Sequence, residues 1–334
     1  MATDCRTRTR RTRTRTTMTE RTLLDALTGS GEVTPGFPDL DQRFRLKVRS
    51  YVEICMAPAF RALAQSLDLF QMRQEGIYPI MFYLVFEPAP TPLWHGRPLQ
   101  SAYEGRMYRY RPPAGGASPG APRVERLLLD WRFALSGPRG EARAEDMSPG
   151  EGEAEIAHVG NGRIVQVLTR PLAPPGERDV RELPEKYRIL RERPWEGPYP
   201  TWQLMAPIPE GFSGPAGEVP PHESVWGVPN TDINQHVNLN EYIADVENHQ
   251  QRLLSAAGIA PADHAVTRAE IIFHKPFFAG EAYRVEGDLR RRDGETLFLG
   301  GIYQAGAPSA PEGRPGVFMR LEGRLEGRLE CGGE

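Results

Sequence analysis

Apolar positions along the chain recur with two periods, and the changes of period mark its elements. Residues 44–55, FRLKVRSYVEIC, alternate in part and predict a strand. In the following PAFRALAQSLDLFQMRQEG, Phe60, Leu63, Ala64, Leu67 and Phe70 fall three or four apart, as on one helix face. Pro58 suits the first turn of that helix and Gly76 its end. Strand-like runs follow at 77–86, 99–111, 123–137 and 155–172, the last with a turn or bulge at Gly160-Asn161-Gly162.

The second half repeats this order. Residues 223–228 predict a strand, and a helix follows whose apolar face runs from Leu239 through Tyr242, Ile243, Val246, Gln250, Leu253 and Leu254 to Ala257. Gly258 sits just past its end. Strands are expected at 267–278, 281–292, 295–305 and 316–326, with Asp293-Gly294 as a hairpin turn. A local echo between FEPAPTPLWHGRPLQSAYEGRMYR and FHKPFFAGEAYRVEGDLRR suggests duplication. One helix per half cannot cover both faces of its sheet. The expected class is therefore α+β, each half a curled antiparallel sheet wrapped around one long helix and packed on the other half.

The remaining segments set the boundaries. Residues 1–40 are expected to be a disordered basic N-terminal segment, because CRTRTRRTRTRTTMTER has no apolar face; translation from Met18 would leave most of it out. The first half spans 41–172, a Pro- and Gly-rich linker 173–222, the second half 223–326 and a flexible tail 327–334. One short helical segment is expected in the linker near LPEKYRILRE.

Composition narrows the function classes. A net charge of -3 gives no global attraction to nucleic acid or anionic lipid. Cys5, Cys55 and Cys331 make an odd set without a CxxC pair, which fits a reducing, cytoplasmic setting, with Cys55 as buried filler. No run approaches the length of a membrane span. His249, His264 and His274 lack metal-ligand spacing, so packing or surface roles and no metal are expected. Arg290-Arg291-Arg292 reads as a solvated hairpin end rather than a site for an acidic partner or phosphate, and Glu247 as a solvated or paired helix glutamate rather than a catalytic mid-helix acid.

The densest chemistry lies in WGVPNTDINQHVNLNEYIADVENHQQRLLSAAG, residues 226–258. Asn238 with Glu241 three residues on fits a helix cap. Capping leaves Asp232, Asn234 and His236 unexplained. Helix-start amides beside a carboxylate, an amide and an imidazole are parts for acyl transfer: donors for an oxyanion, a nucleophile or base, and a proton carrier.

These residues resemble the hotdog-fold thioesterase motif. The pattern of the plant and bacterial acyl-ACP thioesterases, Asp-x-Asn-x-His-Val-Asn-Asn-x-x-Tyr, is met at Asp232, Asn234, His236, Val237, Asn238 and Tyr242, with Leu239 in place of the second Asn of the pair. Downstream, FHKPFFAGE resembles the Tyr-x-x-Pro-x-x-x-Gly-Asp/Glu run of simpler 4-hydroxybenzoyl-CoA thioesterase-like proteins. The plant enzymes carry a Glu or Cys after the helix; here His274-Lys275-Pro276-Phe277 offers no certain equivalent. The resemblance implies a tandem double hotdog that hydrolyses an acyl thioester on acyl carrier protein or CoA, without a cofactor, as a monomer or homodimer. By the same transfer Asp232 is nucleophile or general base, Asn234 polarises the thioester or holds water, and His236 supports proton transfer. Asn238 and nearby amides bind substrate. The first half, which offers only Glu53 near its helix start, would shape the acyl pocket.

Three other readings share these residues. A hotdog hydratase or dehydratase uses Asp-x-Asn-Pro-x-His at the same place, but here the Pro is absent and His236 comes one residue early. A non-catalytic acyl-binding scaffold would need Asp232 only for stability. A release or cyclisation enzyme would replace water by an internal nucleophile.

Overall fold

The computed structural model describes residues 23–114, 119–140, 154–232, 236–308 and 313–326. Strand β1 (Leu27–Val33) is followed by helix α1 (Val48–Ser66), the short α2 (Leu69–Gln74) and strands β2 (Tyr78–Pro88), β3 (Leu99–Tyr110), β4 (Arg126–Pro138) and β5 (Ile156–Thr169). Strand β6 (Glu192–Pro194) and helix α3 (Trp202–Met205) lie in the linker. Then come β7 (His222–Val225), α4 (Leu239–Ala256), β8 (His264–Phe273), β9 (Ala282–Arg292), β10 (Glu295–Gln304) and β11 (Val317–Leu325).

All strands join one sheet, ordered β1-β3-β4-β5-β2-β8-β11-β10-β9-β7, with β6 beside β3. Each half thus orders its five strands, counted along the chain, as first, third, fourth, fifth, second. The second strands of the two halves meet edge to edge, from Tyr83 opposite Ile272 to Phe86 opposite Ala269. This seam leaves no open edge at the centre of the sheet. Side chains of α1, α4 and the inner faces of both halves form one continuous apolar core.

Two elements depart from the sequence reading. Residues 48–55, expected to end a strand, open α1 instead. Tyr51, Cys55 and Ala59 are fully buried at helical spacing, and burial of that stripe outweighs the partial alternation. Pro58 is inside the helix rather than in its first turn. It packs on β1, where a Cβ at Gly31 would lie 2.8 Å from its own Cβ. Strand β1 itself falls in the stretch read as disordered. Its LTGSGEV sequence lacks an apolar alternation, and it is ordered by pairing with β3 over seven residues.

The linker also packs, through Leu183, Tyr187 and Leu190 on the core and Tyr199 on the outer face against Phe82. Near LPEKYRILRE it forms only a one-turn 3-10 helix, Glu185–Tyr187. The Asp293-Gly294 turn is as expected, both residues adopting the positive φ (43° and 84°) that a two-residue hairpin requires. At Gly160 (φ 153°) β5 bulges, and Tyr51 donates its hydroxyl to the Val159 carbonyl there. Residues 1–22 and 327–334, with Cys5 and Cys331, lie outside the described residues.

Candidate active site

The loop before α4 is built by backbone bonds. Gly227 N–H donates to Asn230 Oδ1 at 3.0 Å, and Thr231 bridges to Val237. Asp232 N–H donates to the His236 carbonyl at 3.0 Å, and Asn238 N–H to the Asn230 carbonyl at 2.8 Å. Asn238 caps α4 as expected, its Oδ1 accepting from Asn240 N–H at 2.9 Å. Glu241 does not reach back to Asn238, whose N–H is already used. It accepts from Asn230 Nδ2 at 2.7 Å instead, tying the helix to the loop.

This loop brings Asp232 and His236 together at the positive end of α4. Asp232 Oδ1 lies 3.8 Å from His236 Nδ1, and the side chains are 27% and 38% exposed, so water reaches both. His236 Nδ1 is also 3.2 Å from the Val237 carbonyl. A carbonyl only accepts, so in that contact Nδ1 is the donor. Asn234 lies outside the described residues, as do its two neighbours. Of the expected site residues, the structure therefore places Asp232, His236 and Asn238 in one loop.

The segment resembling a second motif holds this loop in place. Phe277 carbonyl accepts from Val237 N–H at 2.8 Å, and Phe277 N–H donates to Tyr242 Oη at 2.8 Å. His236 bridges to Phe278, and Gly280 N–H bonds the Trp226 carbonyl. Burial pushes the Tyr242 hydroxyl up to about 12, so it stays a neutral hydroxyl that accepts from the amide. Trp226 stacks on Tyr283 at 3.9 Å and meets Tyr242 edge-on at 5.4 Å. Tyr283 donates to Asp245, whose carboxyl burial holds above the ordinary range while this hydrogen bond opposes the rise. Sequence reasoning did not single out Asp245, although its spacing three residues after Tyr242 was visible.

Sequence reasoning also found no acidic motif before the first helix, because it placed a strand there. With α1 starting at Val48, the preceding loop repeats the second one bond for bond. Gly36 N–H donates to Asp39, Leu40 bridges to Leu46, Asp41 N–H donates to the Arg45 carbonyl and Lys47 N–H to the Asp39 carbonyl. Even the tie from Asn230 to Glu241 has a counterpart, between Asp39 and Ser50. Asp41 thus occupies the place of Asp232, Arg45 that of His236 and Lys47 that of Asn238. The shared Gly-x-Pro-Asp/Asn-x-Asp run is the signal that reveals it.

The carboxylate of the first loop is held in an ion pair. Arg45 Nε bonds Asp41 Oδ2 at 2.7 Å, while its other nitrogens reach Glu326 (2.8 Å) and the His264 carbonyl (3.0 Å). Arg43 adds bonds to Asp263 and Glu326. The loop is clamped to the second half by these partly buried charges. Elsewhere, His264 and His249 are buried packing residues, and His274 bonds Arg314. In the Arg290–Arg292 cluster, Arg292 pairs with Glu295 and lies over the Phe212 ring, so linker residues cover it. Cys55 is buried, and burial raises its thiol far above the usual range, as befits filler.

No family profile and no curated protein matches the sequence. Solved structures do match in fold. A 12:0-ACP thioesterase from Umbellularia californica is 9% identical, with a TM-score of 0.57 over 90% of this chain and 94% of that one. An acyl-ACP thioesterase from Bacteroides thetaiotaomicron is 11% identical, with a TM-score of 0.53 over 89% and 98%. A structure described as an oleoyl thioesterase from Lactobacillus plantarum is 12% identical, with a TM-score of 0.60 over 91% and 98%. The large antiparallel sheet with its few helices is therefore the fold of hotdog acyl-ACP thioesterases, shared along about nine-tenths of the chain.

Proposed function

We propose that the chain is a tandem double hotdog that hydrolyses an acyl thioester, carried by acyl carrier protein or CoA, at Asp232, Asn234 and His236. The observation carrying this reading is the approach of Asp232 and His236 to 3.8 Å beside the first amides of α4. The shared fold supports it, as does the ion pairing of the first loop's carboxylate, which favours the second loop as the reactive one.

The thioester carbonyl oxygen would face the amides that open α4, with the Asn238 amide nitrogen as a further donor. Asn234 would hold the water or the carbonyl. Asp232 either adds to the carbonyl carbon or takes a proton from the attacking water. Negative charge then builds on the carbonyl oxygen, where fixed donors and the helix dipole stabilise it. As the tetrahedral centre collapses, the C–S bond breaks with its electron pair on sulfur. In the base route the proton that Asp232 took from water passes by way of His236 to the thiolate, and the free acid leaves; in the direct-addition route the thiolate takes its proton from solvent. If Asp232 has added directly, water hydrolyses the resulting anhydride and regenerates the carboxylate.

A free-thiol assay with medium- and long-chain acyl-carrier protein, acyl-CoA and an enoyl-CoA tests the reaction class. Thiol release supports hydrolysis. Loss of enoyl absorbance without thiol would move the assignment to a hydratase, and silence on every substrate to a scaffold or cyclising enzyme.

A further inference from the structure

The ion-paired loop of the first half borders a cavity of about 470 Å³, within the size range of small-molecule sites. Its walls come from both halves: the loop and start of α1, the Pro88-Ala89-Pro90 turn, one face of α4 and the 261–266 segment. Asp232, His236 and Asn238 are not among its lining residues.

Three features of this cavity are unusual for simple packing. Lys47, where Asn238 stands in the other loop, cannot accept a hydrogen bond, so α1 has no side-chain cap of its own. Glu247 of α4 faces that open end from across the cavity, near enough to the amides of Val48 and Arg49 for them to favour its charged form. A carboxyl group thus faces the helix start where an oxyanion would lie at the other loop. Secondly, Lys47 and Arg49 both donate to the Pro38 carbonyl, at 3.0 and 2.9 Å. Two cationic heads held on one oxygen repel each other, and the acid near both, Glu247, is itself held toward its neutral form by burial, so a further anion would be drawn to them. Thirdly, Gln251 Oε1 is buried without a hydrogen-bond partner on a residue lining the cavity, whose lining also includes Gln42 and Asn248.

We propose that this cavity is a second, non-catalytic site for a 4′-phosphopantetheine arm. The phosphate would join Lys47 and Arg49, the two amides of the arm would meet Gln251, Gln42 and Asn248, and its methyl groups would lie on the proline-rich wall. Duplication supplied two equivalent loops; ion pairing of Asp41 and the approach of Glu247 set one apart from the reactive loop and left its cavity. The ligand class rests on the thioester reading above, whereas the existence of the site rests on the cavity and its groups.

Calorimetric titration of the full chain with pantetheine 4′-phosphate tests it, using wild type, the double variant Lys47→Ala/Arg49→Ala, and Asn248→Trp, a bulky change at an exposed helix position. A binding event that weakens about tenfold or more in both variants is expected, the scale of a lost charge-assisted contact. No binding to wild type, or isotherms unchanged in both folded variants, would overturn the proposal. Competition by CoA would assign a nucleotide-borne arm, and competition by holo-carrier protein alone a protein-borne one. Asp232→Asn, assayed separately for thiol release, decides the hydrolase reading without altering this result.

Discussion

Replacing Glu247 by Gln should make the stability of the protein respond differently to pH. Burial raises the Glu247 carboxyl from its usual 4.5 to about 7, against the opposing pull of Arg49, Lys47 and the Val48 and Arg49 amides. Between these two values the folded protein holds a proton that the unfolded chain releases. Stability therefore falls as pH rises through the window, and the whole cost is present above about 7. That cost is about 3 kcal/mol without screening, and about 1–3 kcal/mol once solvent in the cavity is allowed for. The other charged groups lining the cavity, Asp41, Arg45 and His264, are unchanged in the variant. His264 and His274, held down near 4 by burial, act with the opposite sign, because their unfolded forms bind the extra proton. They contribute equally to both proteins and cancel in the difference. Urea unfolding of wild type and Glu247→Gln at pH 5 and pH 8 reads that difference directly. The variant should gain about 1–3 kcal/mol on wild type over this interval. A difference that stays constant with pH would refute the placement of Glu247 at the start of α1.

Two further substitutions probe the frame of the site. Tyr242→Phe leaves the buried Phe277 amide without its partner; it should cost about 1–2 kcal/mol in urea unfolding and lower thioester turnover, because Phe277 also holds Val237. An unchanged midpoint with full turnover would contradict that coupling. Glu326→Ala removes an acceptor shared by Arg43 and Arg45. Since Arg45 keeps Asp41, the loss should be about 2 kcal/mol, below the figure for a fully buried pair. An unaltered midpoint would show that the clamp contributes nothing.

Most strands were legible because each carries its own alternation or, at 78–86, a short continuous apolar run, and ends in Gly, Pro or Asp-Gly punctuation. Strand β1 was not, since LTGSGEV is ordered by its partner β3 rather than by its own pattern. The start of α1 was misread because residues 44–55 support both periods, and only burial of Tyr51 and Cys55 against the sheet decides between them. That error concealed the second copy of the motif loop, whose Asp41 is plain once α1 begins at Val48. Around Asp232 the local spacing foretold the cap at Asn238. Local sequence could not foretell that Glu241 would bond Asn230, or that Glu247 would reach the opposite helix. Both depend on which groups the folded backbone had already satisfied.

The central claim concerns Asp232, and Asp232→Asn tests it most directly. Asn keeps the size of Asp232 and one acceptor oxygen, and the backbone bond from residue 232 N–H to the His236 carbonyl remains, so the loop should fold as before. Thiol release from the best acyl thioester should fall by about 10²- to 10⁴-fold at saturating substrate, with the unfolding midpoint preserved. A folded Asp232→Asn protein that releases thiol at the wild-type rate would contradict the account.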